Sequence, residues 1–490
     1  MQFPLSLQWC FQSLNVEITI SYLGDRLLQK KPKIVCTIGP ASAETETLQK
    51  MVQSGMNCAR VNTAYGDFES YKCIIQKVRE VSDLPILIDL KGPEIRLKTD
   101  EEKIVQIGDK LDVGFNGQLI SFNHKFIDEM KIGDIVFIDN GKIKTAVIEK
   151  NKNSLILLAE QKGIISNGKG VNIPNKILNV PTLSERDKKI IDFAKDNDIE
   201  FLALSFTRNA NDVTKLRQAA EGFEGAFLSK IENFEGITNF KEILEASDAI
   251  MIARGDLGVE IESEKVPLVQ KSLIRFCNQE GKPVVTATEM LESMMYNRNP
   301  TRAEVSDVAN AILDGTDATM LSGETAIGKY PIETVAMMAR IAIESQKATK
   351  NTVQKMGFIN ISDTVSWSIT KICESMPITK IVTLTRSGYT AKMISRFKVR
   401  EPIIAVTPNM HVKKQLELAY GVVPVHYDYT TKDDRIMSVA NKLHKMKLLH
   451  VEDLVLFTAA FRTKMKHSSN LIEIHALKEL LEFRKTVTEN

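Results

Sequence analysis

The chain has 490 residues, 43% of them hydrophobic and 26% charged. That length allows about three domains with large cores, at roughly 100–200 residues each, and no apolar run reaches the ~18–20 residues of a membrane span. With Lys+Arg 64 against Asp+Glu 62 and a net charge of +2, the chain suits neither nucleic acid nor an anionic membrane surface.

In chain order, residues 1–26 come first, and Met1 to Val16 carry no charge. Gln2, Gln8, Gln12 and Ser13 interrupt the apolar residues, so this reads as an arm packing on its own or a partner chain, not a signal peptide. From Lys33 short β-branched runs alternate with helix-period segments. The runs are Lys33–Ile38, Cys58–Asn62, Pro85–Asp89, Phe201–Ser205, Ala226–Ile231, Ala249–Ala253, Pro283–Thr288 and Ala318–Ser322. Nearly continuous apolar strands separated by helices predict a parallel sheet, and eight such units predict a closed (β/α)₈ TIM barrel in 27–96 and 181–345. Between them, 97–180 alternates at period two, with turn clusters at Asp139-Asn140-Gly141 and Asn151-Lys152-Asn153. This predicts a small inserted β-barrel domain over the C-terminal ends of the barrel strands, acting as a lid. Residues 346–490 restart the pattern as a C-terminal α/β domain, with strand-like Lys380–Leu384, Pro402–Val406, Val422–Val425 and Leu454–Phe457. Cys10, Cys36, Cys58, Cys73, Cys277 and Cys373 include no C-x-x-C pair and read as reduced thiols of a cytoplasmic protein.

Polar residues collect where barrel strands end, the functional face of that fold. Arg60 and Asn62 end the second strand, and Asp89, Lys91, Glu94 and Arg96 follow the third. Ser229-Lys230-Ile231-Glu232 closes the fifth, Ala253-Arg254-Gly255-Asp256 the sixth and Thr286-Ala287-Thr288 the seventh. Lys230 and Glu232 share one strand face, so with Asp256 two carboxylates and a lysine converge on the mouth. Two lone carboxylates suit Mg²⁺ completing its shell from an anionic substrate. A lysine beside such an ion and arginines would meet charge developing in phosphoryl transfer. The seven histidines all lie outside the barrel segments, which disfavours Ser–His, Cys–His and His–zinc chemistry there. In the C-terminal domain, Thr385-Arg386-Ser387-Gly388-Tyr389-Thr390 falls between a strand and a helix, an order that can cradle phosphate.

Several motifs together resemble the pyruvate kinase family. They are Lys33–Ser42, Lys91–Arg96, Ser229–Asn233, Met251–Gly258, Met290–Met294, Asn299–Asn310 and Leu321–Ala326. The resemblance runs in order from about Leu27 and includes the inserted domain. It implies transfer of phosphate from phosphoenolpyruvate to ADP in a homotetramer, with Mg²⁺ (or Mn²⁺) and K⁺. By that resemblance Glu232 and Asp256 hold the divalent ion, and Lys230 stabilises the transferring phosphoryl group and the enolate. Arg60 grips phosphate, while Gly255, Asp256 and Thr288 contact substrate, Thr288 near the proton path. Asn62, Asp89 and the carbonyl of Leu90 resemble the monovalent-cation site; Asn62, Arg96 and Lys169 resemble nucleotide contacts. Thr385, Arg386, Ser387, Gly388 and Thr390 resemble the loop holding a phosphorylated sugar effector. The chain departs from the family at Ala64 and Tyr65, where Ser-His is usual, at Asn140 in the lid turn and at Glu289. The second half of the effector site, in Thr458–Lys464, also matches poorly. Two other readings share these residues: a lyase or phosphomutase on enolpyruvate-type acids, without need of a nucleotide lid, and a non-catalytic regulatory subunit.

Overall fold

The computed structural model describes residues 30–115, 119–174, 176, 178–350, 360–430, 434–460 and 469–488. The expected arm, Cys10 and the effector-loop residues Phe461–Lys464 lie outside the described residues. Eight parallel strands close into a barrel. In chain order they are Lys33–Thr37, Cys58–Asn62, Ile86–Leu90, Phe201–Leu204, Ala226–Ile231, Ala249–Ala253, Val284–Ala287 and Ala318–Leu321. The first pairs with both the second and the eighth, which completes the closure. Alternate residues fill the interior, among them Val35, Cys58, Leu87, Ala203, Leu228 and Met251, while the intervening ones pack against the surrounding helices. Side chains of both parities are therefore buried, which is why these strands read as unbroken apolar runs. The helices begin where local chemistry dictates; Thr301 and Glu304, for example, form a capping box that starts Arg302–Leu313.

The segment after the third strand forms a seven-stranded, barrel-like sheet and a two-stranded ribbon around its own core. It sits on the mouth of the large barrel: Asn172 donates to Glu260 at 3.0 Å, and the turn at Gly141 lies against Val259. Sequence periodicity locates the longer strands and misses Leu97–Thr99, Lys103–Val105, Ile120–Phe122, Gly163–Ile165 and Val171–Asn172.

The C-terminal unit has a five-stranded sheet, spatially Val422–His426, Ile403–Thr407, Lys380–Leu384, Leu454–Ala459 and Leu471–Ala476. The last strand is antiparallel and was not expected from sequence. This unit closes the opposite end of the barrel. Leu418 joins the barrel's interior cluster, and Lys398–Asp317 at 2.9 Å and Lys414–Glu200 at 2.8 Å bind it to residues just ahead of barrel strands. Among the described residues Cys36, Cys58 and Cys277 are buried free thiols and Cys73 is exposed. No described helix is long and apolar enough to cross a membrane.

Candidate active site

The site follows from strand parity. Inward positions carry apolar side chains through the barrel and turn polar at the C-terminal end: Val35 then Thr37, Cys58 then Arg60 and Asn62, Leu87 then Asp89, Leu228 then Lys230 and Glu232. Their polar ends meet. Arg60 donates to Thr37 Oγ1 at 2.7 Å and pairs with Asp89 at 2.7 Å. Lys230 donates to Ser205 Oγ at 2.7 Å and lies 2.8 Å from Glu232 and 3.3 Å from Asp89. Glu232 takes a further hydrogen bond from the Phe206 amide at 2.7 Å. Arg60, Asp89, Lys230 and Glu232 are all buried.

Burial and neighbouring charge set the protonation states. Burial alone would depress Lys230, but Asp89 and Glu232 outweigh it and hold the ammonium well above its usual range. Burial works against the charge on Asp89 too, yet Lys230 and Arg60 keep its carboxyl below the ordinary value. Glu232 goes the other way: burial, with repulsion from Asp256, overcomes Lys230 and pushes it up to about 7. Asp256 is also raised, by burial first, against the pull of Lys230 and with repulsion from Glu94 and Asp89. Two carboxylates whose charges are thus under-compensated form a hard, all-oxygen donor set that fits a divalent cation. No group of three or more His, Cys, Asp or Glu among the described residues is placed to hold a metal. A cation here would take its remaining ligands from substrate and water.

Asp256 and Gly255 lie in the first turn of the helix Arg254–Glu260, which starts directly after the sixth strand. The Gly255 amide donates to Thr288 Oγ1 at 2.7 Å. Arg254 turns to Asp307, 2.7 Å away, and to the carbonyls of Thr288 and Glu289. At the rim, Asn62 Oδ1 accepts from the Ala64 amide at 3.1 Å, and Leu90 is buried at the end of the third strand. Arg96 pairs with Glu94 at 2.6 Å and donates to the carbonyl of Gly168 in the lid. Lys169 is tied to Asp139 in the lid turn at 2.9 Å. Ser205, Phe206 and Thr37 escaped the sequence reading, although Ser205 and Thr37 continue the inward parity of Ala203 and Val35.

The expected effector segment is remote from this cluster. It links the strand Lys380–Leu384 to the seven-residue helix Tyr389–Ser395. Thr385 and Thr390 are buried, Arg386 and Ser387 exposed, and Thr385 Oγ1 accepts from the Gly388 amide at 3.0 Å.

Comparison with known proteins gives the family to which this fold belongs. The family described as pyruvate kinase, barrel domain, matches residues 29–335, and pyruvate kinase, alpha/beta domain, matches 363–475. The chain belongs to the pyruvate kinase family. It is 40% identical over 478 residues to the pyruvate kinase of Geobacillus stearothermophilus, covering 93% of this chain and 81% of that protein. It is 37% identical to that of Clostridium perfringens (strain 13 / Type A), covering 91% of this chain and 100% of the relative. A crystal structure of a pyruvate kinase from Cryptosporidium parvum superposes with a TM-score of 0.85 at 33% identity, over 92% of this chain and 97% of the other. The closed barrel, inserted β unit and C-terminal α/β unit are thus those of a pyruvate kinase, and the enzyme class is a glycolytic phosphotransferase.

Proposed function

We propose that this chain transfers phosphate from phosphoenolpyruvate to ADP, giving pyruvate and ATP, with the residues at the barrel mouth dividing the work. The observation that carries the reading is Lys230, a buried ammonium kept charged by Asp89 and Glu232 at the point where the inward-facing polar residues of strands one, two, three and five meet. Such a fixed cation stabilises negative charge as it develops on the transferring group, with no reorganisation at the moment of reaction. Arg60, oriented by Thr37 and Asp89, grips the phosphate. The Gly255 amide and Thr288 receive the substrate carboxylate, and Thr288 lies near the proton path to the enolate carbon.

Glu232 and Asp256 would hold Mg²⁺ or Mn²⁺, which when bound neutralises the substrate oxygens. Asn62, Asp89 and the Leu90 carbonyl would hold K⁺. Arg96 and Lys169, with Asn62, face the phosphates of ADP. Lys169 has to leave Asp139, a partly exposed ion pair of the kind worth about 0–1 kcal/mol, so a polyphosphate competes for it readily. We place the enzyme in the cytoplasm as a homotetramer.

Pyruvate formation with ADP, divalent metal and K⁺ each withheld in turn tests this reading. Stoichiometric use of ADP and phosphoenolpyruvate is expected; phosphoenolpyruvate loss without ADP would favour a lyase or mutase instead. A phosphorylated sugar at Thr385, Arg386, Ser387, Gly388 and Thr390 is the proposed regulator. Sugar mono- and bisphosphates should shift half-saturation by phosphoenolpyruvate, and Thr385→Ala with Ser387→Ala should abolish the shift.

A further inference from the structure

We infer that Arg254, braced by Asp307, is a positioning residue that holds Thr288 in its working conformation; this rests on the function proposed above for Thr288. Thr288 and Glu289 directly follow the seventh barrel strand, and both adopt left-handed backbone conformations, with φ of 67° and 53°. For L-residues this region is sterically disfavoured, and a β-branched residue is rarely found there. Consecutive non-glycine residues persist in it only when their surroundings over-determine them.

Arg254 supplies that constraint. Its side chain is buried, and Nη2 donates to the Thr288 carbonyl at 2.7 Å and the Glu289 carbonyl at 3.0 Å. Nε reaches the same Thr288 carbonyl at 3.3 Å. Nη1 faces outward to both carboxylate oxygens of Asp307, at 2.8 and 2.7 Å, and to Gln270 Oε1 at 3.4 Å. The planar fork therefore clamps two consecutive carbonyls on one side and is oriented by a carboxylate on the other. A lysine has the charge but not the fork.

The turn so fixed aims the Thr288 hydroxyl. Its oxygen accepts from the Gly255 amide at 2.7 Å and its hydrogen goes to the Ala287 carbonyl at 2.6 Å. Gly255 is next to Arg254 in the chain, so one dipeptide holds Thr288 by both main chain and side chain. Arg254 makes no ion pair with Asp89, Glu232 or Asp256; its salt bridge is to Asp307, on the helix Arg302–Leu313. It thus acts through Thr288, not as a charge of the phosphate clamp.

The test uses the full-length enzyme and the variants Asp307→Asn, Arg254→Lys, Thr288→Ala and Arg254→Lys with Thr288→Ala. The readouts are kcat, KM for phosphoenolpyruvate, and exchange of pyruvate methyl protons with D₂O, followed by NMR with ATP and Mg²⁺ present. Arg254→Lys should slow turnover and methyl exchange together by about 10²-fold, the penalty of a small misplacement. KM should rise far less than kcat falls, because Arg60 and the Gly255 amide still hold the substrate while Thr288 gives up only its share of the carboxylate. Asp307→Asn, at a side chain 39% exposed, should keep the parent's melting temperature and slow both steps about tenfold. Adding Arg254→Lys to Thr288→Ala should cost little more, because residues acting as one unit are not additive. Full additivity, or parental rates in both brace variants beside a disabled Thr288→Ala, would overturn the inference alone. Parental rates in Thr288→Ala would remove the assigned role of Thr288, and the brace with it.

Discussion

The ammonium of Lys230 lies 2.8 Å from the carboxylate of Glu232, two residues further along the chain. The pair arises because strand five continues its inward parity past the last apolar position, Leu228, so both charges face the mouth beside Asp89. Buried charges of this kind are costly unless compensated. Here each group depends on the others for its charge state.

Lys230→Met should therefore lower kcat by several orders of magnitude, because the charge that meets the transferring phosphoryl group is gone. Phosphoenolpyruvate binding should persist through Arg60 and the metal. The lost counter-charge should also move Glu232 and Asp89 toward their protonated forms. Steady-state kinetics with direct binding measurement checks both. Turnover within a few-fold of the parent would reject the role given to Lys230.

Gly92 fixes the same cluster from behind. Its φ is +67°, and a Cβ there would stand 2.8 Å from the carbonyl oxygen of Ser205. Ser205 in turn accepts from Lys230 at 2.7 Å and donates to Asp89 at 3.2 Å. Gly92→Ala should cost about 1–3 kcal/mol of stability through strain and should reduce kcat by displacing Lys230. Thermal unfolding and kinetics on the same preparation test this. An alanine variant matching the parent in both would show that Ser205 has room to yield.

The barrel was legible because strands buried on both faces leave unbroken apolar runs, and the site because polar residues interrupt that pattern at the same end of several strands. Lys230, Glu232, Arg60 and Asp89 stand out in this way. Ser205 does not, since one serine at a strand end carries no signal apart from its parity. The left-handed turns at Phe206, Thr288 and Glu289 are invisible in sequence for the opposite reason: nothing but glycine or asparagine advertises such a backbone. Five lid strands of two or three residues are too short to show period two. The strand Leu471–Ala476 follows its partner without an intervening described helix, so it breaks the rhythm on which the C-terminal reading rests.

Glu260 gives the fold a pH dependence with a definite sign. It sits at the end of the helix that carries Asp256, and burial pushes its carboxyl from an ordinary 4.5 up to about 7, against a hydrogen bond from Asn172 and with repulsion from Asp256. Between pH 4.5 and 7 the folded chain then holds a proton that the unfolded chain has released, so this group's contribution to stability falls as pH rises through that window. Glu260→Gln keeps an oxygen for Asn172 but cannot ionise. Relative to the parent, its unfolding free energy should gain steadily from about pH 5 to pH 7.5, by an amount on the order of 1–3 kcal/mol, and level off above, which a melting-temperature difference measured across that pH range follows. A difference independent of pH would mean that Glu260 titrates alike in the folded and unfolded chains.

Monovalent-cation dependence should survive the loss of a serine hydroxyl at Ala64. In the proposed K⁺ site, Asn62, Asp89 and the carbonyl of Leu90 remain, and water can replace a single missing ligand, so affinity should weaken without being abolished. Glu94 enters because its charge reaches the mouth: it repels Asp256 while paired with Arg96 at 2.6 Å. An anion there raises the need for a cation nearby, and a lysine in its place would supply positive charge from the protein itself. The parent, in tetramethylammonium buffer free of K⁺ and Na⁺, should lose more than about tenfold in kcat and recover it on titration with K⁺. Glu94→Lys should flatten that titration, although loss of the Arg96 pair should raise the KM for ADP. Full parental activity without K⁺ or Na⁺ would reject the proposed cation site, and an unchanged K⁺ titration in Glu94→Lys would reject the electrostatic role of Glu94.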